Sequence, residues 1–195
     1  MAEALDKNAL KSLEVTPYET LRKTLRSGDL LFASGNYWVS RAIQKVTESP
    51  WSHVGIVFNL VDLDRVLLLE SVESVGVRFA PLSKYLYDYK DGKPYRGELA
   101  LARVAGVDAG TVTALTKHGI DELTRPYDAN EIAKILARVA MGQGRHKRDR
   151  EYICSELVHA CFKEAGTELN KDRRGFISPD NIWRDERVEL IGRVR

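Results

Sequence analysis

Apolar and polar residues alternate with two different periods along the chain, one typical of strands and one typical of helices. The stretches 53–61 and 66–72 are rich in β-branched residues and leucine, and a short, mostly polar stretch separates them. Two such runs around a short connection predict a β-hairpin. Similar runs predict four further strands, at Leu30–Ala33, Gly76–Phe79, Glu98–Val104 and Val188–Val194, the last of them at an edge of the sheet. The middle third is therefore expected to form a meander of consecutive strands.

A spacing of three to four residues between apolar positions predicts helices on both sides of this meander. The predicted helices are Pro17–Arg26, Tyr37–Thr47, Pro81–Tyr87, Asp108–Leu123, Ala129–Met141, Tyr152–Ala165 and Pro179–Arg184. Hairpin strands need no crossover helices, so we expect an antiparallel sheet packed with helices and a fold of the α+β class. Residues 1–27 are expected to form an N-terminal helical extension, and residues 28–195 a single domain.

The overall composition excludes several classes of protein. With 195 residues, of which 44% are hydrophobic and 30% charged, the chain has the size and balance of one globular domain. The net charge of +2 is far below the basic excess of duplex-binding domains, so nucleic acid is not an expected partner. The longest apolar stretch, Val54–Val61, is interrupted by Asn59 and is too short for a membrane span. The first residues lack the pattern of a secretory signal, and the expected location is cytoplasmic.

The two cysteines, Cys154 and Cys161, lie on one predicted helix, about 10 Å apart, and should be free thiols. Cys154 lies in the first turn, where unpaired N–H groups and the helix dipole stabilise a thiolate. The alternative is structural, because both cysteines belong to one apolar stripe of this helix and a buried cysteine acts as a small hydrophobic residue. Their spacing, with His159 on another face, does not converge on a metal, so neither a metal nor a cofactor is expected.

His53 begins the first strand of the predicted hairpin, where its ring can face a cleft. Taken alone, a histidine is more often a surface group or a satisfied core residue than a catalytic base. An acidic residue on the facing strand can reach the imidazole, and both Glu70 and Glu73 qualify. They differ by an odd number of positions, so only one of them can share the face of His53. We favour Glu70, because a carboxylate that ends a buried strand is unfavourable without a partner.

Several motifs occur in a fixed order, namely SGDLLF, IQKVTESPWSHVGIVF, LLLESV with GVRFAPLSKYL, RPYD, YICSELV and ISPDNIW. From about Arg26 to Trp183 the chain thereby resembles the YiiX-like, circularly permuted branch of the NlpC-type papain-fold cysteine hydrolases. The resemblance implies a permuted papain-like fold in which the histidine strand precedes the cysteine helix. It also implies a catalytic set that falls on His53, Glu70 and Cys154. The chain departs from the family pattern at 130–150, where an extra helix and a basic loop are expected.

The resemblance implies a thiol hydrolase that cleaves an amide bond, in a peptide or a peptidoglycan-like stem, through an acyl-enzyme. Two alternatives stay open: a lipid acyltransferase or thioesterase on the same fold, and a catalytically silent binding module with a buried Cys154. Trp51 and Tyr127, adjacent to the motifs, are candidate walls of a substrate cleft, although aromatic residues near strand ends are more often core residues. The expected partner is a small molecule or a peptide.

Overall fold

The computed structural model describes residues 7–73, 75–127, 153–172 and 176–195. The helices are α1 (Lys7–Ser12), α2 (Tyr18–Leu21), α3 (Trp38–Thr47), α4 (Ser83–Tyr87), α5 (Ala109–Asp121), α6 (Cys154–Glu164) and α7 (Pro179–Trp183). The strands are β1 (Val15–Thr16), β2 (Leu30–Gly35), β3 (His53–Leu60), β4 (Arg65–Val72), β5 (Gly76–Pro81), β6 (Gly97–Val104) and β7 (Val188–Val194), with a 3-10 turn at Val61–Leu63. The predicted helix Ala129–Met141 and the basic loop lie outside the described residues.

The strands form one sheet in the order β1-β7-β6-β2-β3-β4-β5, in which only the β1–β7 pair is parallel. The prediction of a meander is correct from β2 to β5. It is wrong for β6, which returns to pair with β2 on the side away from β3. The prediction that the last strand, β7, is an edge strand is also wrong, because β1 pairs with its outer side. Local sequence patterns predict that a strand forms but not which neighbour it will find.

Both faces of the sheet are covered by hydrophobic residues. In β2, Leu30 and Phe32 belong to one core cluster, and Leu31 and Ala33 belong to the cluster on the opposite face. This explains why the strand is a continuous apolar run rather than an alternating one. The first cluster lies under α5 and α6, and the second contains Tyr85 of α4.

Helix α6 packs against β3, β4 and α5 through a fully buried apolar stripe that includes Leu157, Cys161 and Phe162. Its first residue, Cys154, follows the N-cap residue Ile153, whose N–H donates to Glu156 Oε2 at 3.2 Å. A carboxylate at this position satisfies one of the free N–H groups of the first turn. The helix start is thereby fixed beside the beginning of β3.

The N-terminal residues contact both the core and the sheet. Leu10 of α1 is fully buried in the first core cluster, and β1 adds a strand to the sheet. The predicted helix Pro17–Arg26 is much shorter in the structure, where only Tyr18–Leu21 is helical. Leu25, beyond its end, is buried in the second core cluster.

Candidate active site

His53 is the first residue of β3, and hydrogen bonds of the residue before it fix its position. The N–H and the hydroxyl of Ser52 donate to the Ala33 carbonyl at 3.0 and 3.2 Å, and the Ser52 hydroxyl accepts from Gly35 N–H at 3.1 Å. Ala33 is also the partner of His53 in the β2–β3 ladder. The beginning of β3 is thus tied to β2, and the His53 side chain keeps 15% of its surface exposed.

Glu70 on β4 is the carboxylate that meets the His53 ring. The distance from His53 Nε2 to Glu70 Oε2 is 2.8 Å, and Glu70 is fully buried. Both residues share the sheet face that carries Val57 and Leu68, as the alternation of the two strands requires. Glu73, the alternative from the sequence, lies exposed in the turn after β4.

Two further side chains hold the Glu70 carboxylate, and the sequence analysis did not identify them. Arg78 Nε donates to Glu70 Oε1 at 2.9 Å, and the Tyr85 hydroxyl donates to Oε2 at 2.5 Å. Arg78 is the direct partner of Glu70 in the β4–β5 ladder, so the register of this strand pair predicts its position. No comparable local signal points to Tyr85, which reaches the site from α4.

Burial alone would lower the pKa of His53, because it disfavours the charged ring. The charge and hydrogen bond of Cys154, together with those of Glu70, outweigh burial and raise the pKa of His53 to about 10. Burial acts in the opposite direction on Glu70, yet its hydrogen bond to His53 and the neighbouring charges hold the pKa of that carboxyl below its usual value. At neutral pH the site therefore holds an imidazolium ring and an ionised carboxylate.

The Cys154 thiol is hydrogen bonded to the same His53 ring. Since Glu70 occupies Nε2, Nδ1 is the ring nitrogen left for the thiol. Cys154 retains 4% of its surface and lies at the inner end of the site rather than on an open wall. Cys161 lies seven residues further along α6 and has no exposed surface. Burial and the charge of Glu122 raise its pKa to about 12. Cys154 thus contacts a titratable ring, whereas Cys161 is enclosed by the core.

Tyr127 lines the cleft that opens beside His53. The segment before it runs along the edge of β5, where Thr124 N–H donates to the Val77 carbonyl at 3.0 Å and Val77 N–H donates to Arg125 O at 2.9 Å. Gly76, with a φ of +79°, makes this approach possible, because a Cβ there would lie 2.0 Å from Arg125 O. The backbone of the RPYD motif is thereby fastened to the sheet that carries Glu70.

Trp51 does not line the cleft, contrary to the expectation from the sequence. Its side chain is fully buried, with its ring 5.4 Å from that of Phe32 and 4.9 Å from that of Trp183. These three rings form part of the first core cluster. The residue belongs to the core because the turn before β3 folds inward, a direction that proximity to a motif in sequence does not reveal.

The cleft has a volume of about 510 Å³. His53, Arg78 and Tyr85 line it on the catalytic side, and four of the eleven other lining residues are tyrosines. Within the described ranges, no three His, Cys, Asp or Glu side chains are close enough together to hold a metal ion. Among the same residues, no helix combines the length and apolar character that crossing a membrane requires.

Comparisons with known proteins agree with this architecture. A family model described as a permuted papain-like amidase enzyme, YaeF/YiiX, C92 family, matches residues 24–174. Among solved structures, that of a protein described as the metalloprotein yiiX from Escherichia coli O157:H7 is similar, with a TM-score of 0.64. The match covers 86% of this chain and 96% of that chain at 18% identity, which shows a common fold. No curated protein sequence matches. The α+β fold is thus the permuted papain-like one, and the chain belongs to the YaeF/YiiX family of permuted papain-like amidases.

Proposed function

We propose that this protein is a thiol hydrolase that cleaves an amide bond in a peptide or peptidoglycan-like stem, with Cys154 as nucleophile, His53 as base and acid, and Glu70 as the residue that orients His53. The observation that carries the proposal is the hydrogen bond from the His53 ring to the buried Glu70 carboxylate, together with the hydrogen bond between the same ring and the Cys154 thiol. A nucleophile, a base and an orienting group in this order are the minimum set for acyl transfer.

The reaction begins from the pair in which His53 already holds the proton of the Cys154 thiol, a thiolate beside an imidazolium. The sulfur attacks the carbonyl carbon, a C–S bond forms, and the π electrons move to the carbonyl oxygen. Cys154 is the first residue of α6, so its N–H has no acceptor within the helix and can stabilise this oxyanion. The helix dipole adds to the stabilisation of negative charge at this position.

Collapse of the tetrahedral intermediate breaks the C–N bond, and the leaving amine takes the proton from the His53 imidazolium. The product of this half-reaction is a thioester on Cys154. A water molecule then gives a proton to His53 while its oxygen attacks the thioester, the C–S bond breaks, and a carboxylic acid leaves behind the Cys154 thiolate beside the His53 imidazolium. Glu70 stays ionised throughout, and it keeps the ring in the orientation that both half-reactions need.

Differential alkylation of the two thiols tests the nucleophile. With iodoacetamide at neutral pH and mass mapping of the modified cysteine, Cys154 should react at least ten times faster than Cys161, whose thiol is buried and fully protonated. His53→Ala should slow the reaction of Cys154 and leave that of Cys161 unchanged. Equal and slow reaction of both cysteines would instead support a silent binding module.

Hydrolysis assays with peptide amides and lipid esters test the reaction class. Cys154→Ala should abolish amide hydrolysis, Cys161→Ala should retain it, and a thioester should be trapped on Cys154 in the wild-type protein. Turnover of lipid esters without any turnover of amides would overturn the amidase assignment. Amide hydrolysis that persists in Cys154→Ala would overturn the whole mechanism.

A further inference from the structure

Four tyrosines form a continuous aromatic surface that leads outward from the catalytic histidine. We call this surface the tyrosine wall, and it consists of Tyr37, Tyr85, Tyr89 and Tyr95. All four line the cleft. The Tyr85 ring is stacked at 6.3 Å from the His53 ring, which places the inner end of the wall beside the proposed reacting groups.

The rings of the wall are packed against each other. Tyr89 lies 4.8 Å from both Tyr85 and Tyr95, and Tyr37 lies 6.0 Å from Tyr95 and 6.4 Å from Tyr89. These separations are those of favourable aromatic pairs. Backbone hydrogen bonds hold the segment in place, since Tyr95 N–H donates to Tyr85 O at 2.8 Å and Tyr89 N–H donates to Lys93 O at 2.8 Å. The wall is therefore preorganised rather than assembled by a ligand.

Three of the four hydroxyl groups are engaged inside the protein. The Tyr85 hydroxyl donates to Glu70, the Tyr89 hydroxyl is hydrogen bonded to that of Tyr85, and the Tyr95 hydroxyl is hydrogen bonded to Ser40 and Ser52. Tyr85 is only 2% exposed, so what the wall offers to a ligand is the ring surface of Tyr37, Tyr89 and Tyr95 rather than polar tips. Ile43 and Val72 add aliphatic surface to the same cleft.

The charged side chains of the cleft do not favour an ionic ligand of either sign. Arg78 and the His53 imidazolium are both paired with Glu70, and the two remaining charges, Glu73 and Lys90, are of opposite sign. A cationic group bound to the aromatic faces would meet Arg78 and Lys90, and an anionic group would meet Glu73. An uncharged group gains the burial energy of the rings without either repulsion.

We infer that the tyrosine wall is a specificity subsite for an apolar, preferably aromatic, group attached next to the scissile amide. This inference rests on the function proposed above and names the substrate class for it. The outermost ring, Tyr37, is 37% exposed, so part of the apolar surface is still uncovered in the free protein. A ligand ring laid against it would remove that surface from water and extend the series of ring contacts.

Chloroacetamides of the form ClCH2C(O)NHR test the subsite without the need for turnover. The Cys154 sulfur displaces chloride and forms a C–S bond, while R is varied as methyl, benzyl, 2-carboxyethyl or 2-aminoethyl. We expect the second-order rate constant for benzyl to exceed that for methyl by about tenfold, the discrimination that one buried apolar group typically gives. Faster labelling by either ionic probe than by benzyl would overturn the inference.

Substitutions in the tyrosine wall test which residues produce the preference for the benzyl probe. Tyr37→Ala and Tyr89→Ala should bring the ratio of benzyl to methyl rates close to one, and the ratio corrects for any change in the thiol itself. Tyr37→Phe should keep the ratio, because the ring and not the hydroxyl is used. Tyr87→Ala is the matched control, since Tyr87 is an exposed tyrosine of α4 that does not line the cleft. An unchanged ratio in Tyr89→Ala would contradict the assignment.

A binding measurement separates failure of the subsite from failure of the nucleophile. If the methyl probe labels Cys154 no faster than Cys161, the proposed function fails. The subsite is then tested alone by titration of Cys154→Ala with N-benzylacetamide and N-methylacetamide, followed by NMR of the tyrosine rings. Benzylacetamide should shift ring signals of the wall at concentrations at least tenfold lower than methylacetamide, and equal binding of the two amides would overturn the inference.

Discussion

Arg78 directs two nitrogens at a single oxygen of Glu70, with Nε at 2.9 Å and Nη2 at 2.8 Å from Oε1. The other oxygen, Oε2, is left for His53 and Tyr85. Each oxygen of the buried carboxylate thus has its own partners. The arrangement fixes the plane of the carboxylate and, through it, the direction of the hydrogen bond to the imidazole. Arg78 and Tyr85 are accordingly positioning residues that act on the reaction through Glu70.

Replacement of Arg78 by Met should impair both folding and catalysis. Glu70 would keep His53 and Tyr85 as partners but lose the donors to Oε1, and an unsatisfied buried carboxylate oxygen should lower the free energy of unfolding by about 1 to 3 kcal/mol. The pKa of Glu70 should rise, since Arg78 is one of the charges that lower it. We therefore expect kcat to fall and the acid limb of the pH–activity profile to move to higher pH, measured together with urea unfolding.

Arg78→Lys serves as the conservative variant, because it keeps the positive charge without the planar fork. In this variant the acid limb should lie close to its wild-type pH, whereas kcat should be restored only in part. Tyr85→Phe removes the donor to the other carboxylate oxygen and should shift the acid limb in the same direction by a smaller amount. If Arg78→Met lowered stability while the pH profile stayed in place, Arg78 would be structural only.

The raised pKa of His53 predicts where activity should fall on the alkaline side. The pKa of about 10 exceeds the ordinary value of 6.5, so the ring keeps its proton through the neutral range and loses it as pH rises through about 10. The imidazolium that protonates the leaving amine should therefore persist well above pH 7. We expect the alkaline limit of kcat/KM to lie near pH 10, and NMR titration of the His53 ring should give a similar midpoint.

Glu70→Gln is the control for this titration. Removal of the carboxylate charge takes away part of what raises the pKa of His53, so the ring midpoint and the alkaline limit should both move to lower pH. A ring that titrates near 6.5 in the wild-type protein would contradict the arrangement of charges described for the site.

The central pair of the site was predictable from strand periodicity, whereas its surroundings were not. His53 and Glu70 follow from a hairpin and the parity of its faces, and the structure confirms that they meet. The position of Arg78 follows from one more hairpin register. Tyr89 and Tyr95 lie in a loop, where no period relates a residue to a face. Their approach to His53 depends on long-range packing, which the local pattern does not encode.

The fold itself was predicted at the level of class and family, and the pairing of its strands only in part. The α+β class and the permuted papain-like resemblance are confirmed. The pairing of β6 with β2 was missed, because a strand separated by a helix and a loop can join either side of a meander. Trp51 was assigned to the cleft from its place beside the SHVGIV motif, and its burial shows that neighbouring residues can face opposite ways.

Trp51→Ala should act on stability and not on substrate recognition. Removal of a fully buried tryptophan leaves a cavity against Phe32 and Trp183, with a loss of about 3 to 5 kcal/mol in the free energy of unfolding. The KM of the fraction that remains folded should be unchanged. Tyr127→Ala should show the reverse, with a raised KM and little change in stability. A raised KM in the conservative variant Trp51→Phe, at unchanged stability, would contradict this prediction and show that Trp51 takes part in substrate binding.

Arg193 of β7 fastens the N-terminal residues to the sheet. Its Nη1 donates to Lys11 O at 2.8 Å and to Leu13 O at 3.1 Å, and its Nε donates to Glu98 Oε2 at 2.9 Å. One guanidinium therefore bridges α1, β6 and β7. From this bridge and the burial of Leu10 we propose that residues 7–27 unfold together with the rest of the domain.

Leu10→Ala tests this integration. If α1 belongs to the core, loss of the buried side chain should lower the free energy of unfolding by about 2 to 5 kcal/mol. Lys11→Ala is the matched control, because the Lys11 side chain is exposed and only its carbonyl receives Arg193. Chemical unfolding should then show a single transition for both variants, at a lower midpoint for Leu10→Ala alone. Equal midpoints for the two variants would mean that the N-terminal segment is an independent extension after all.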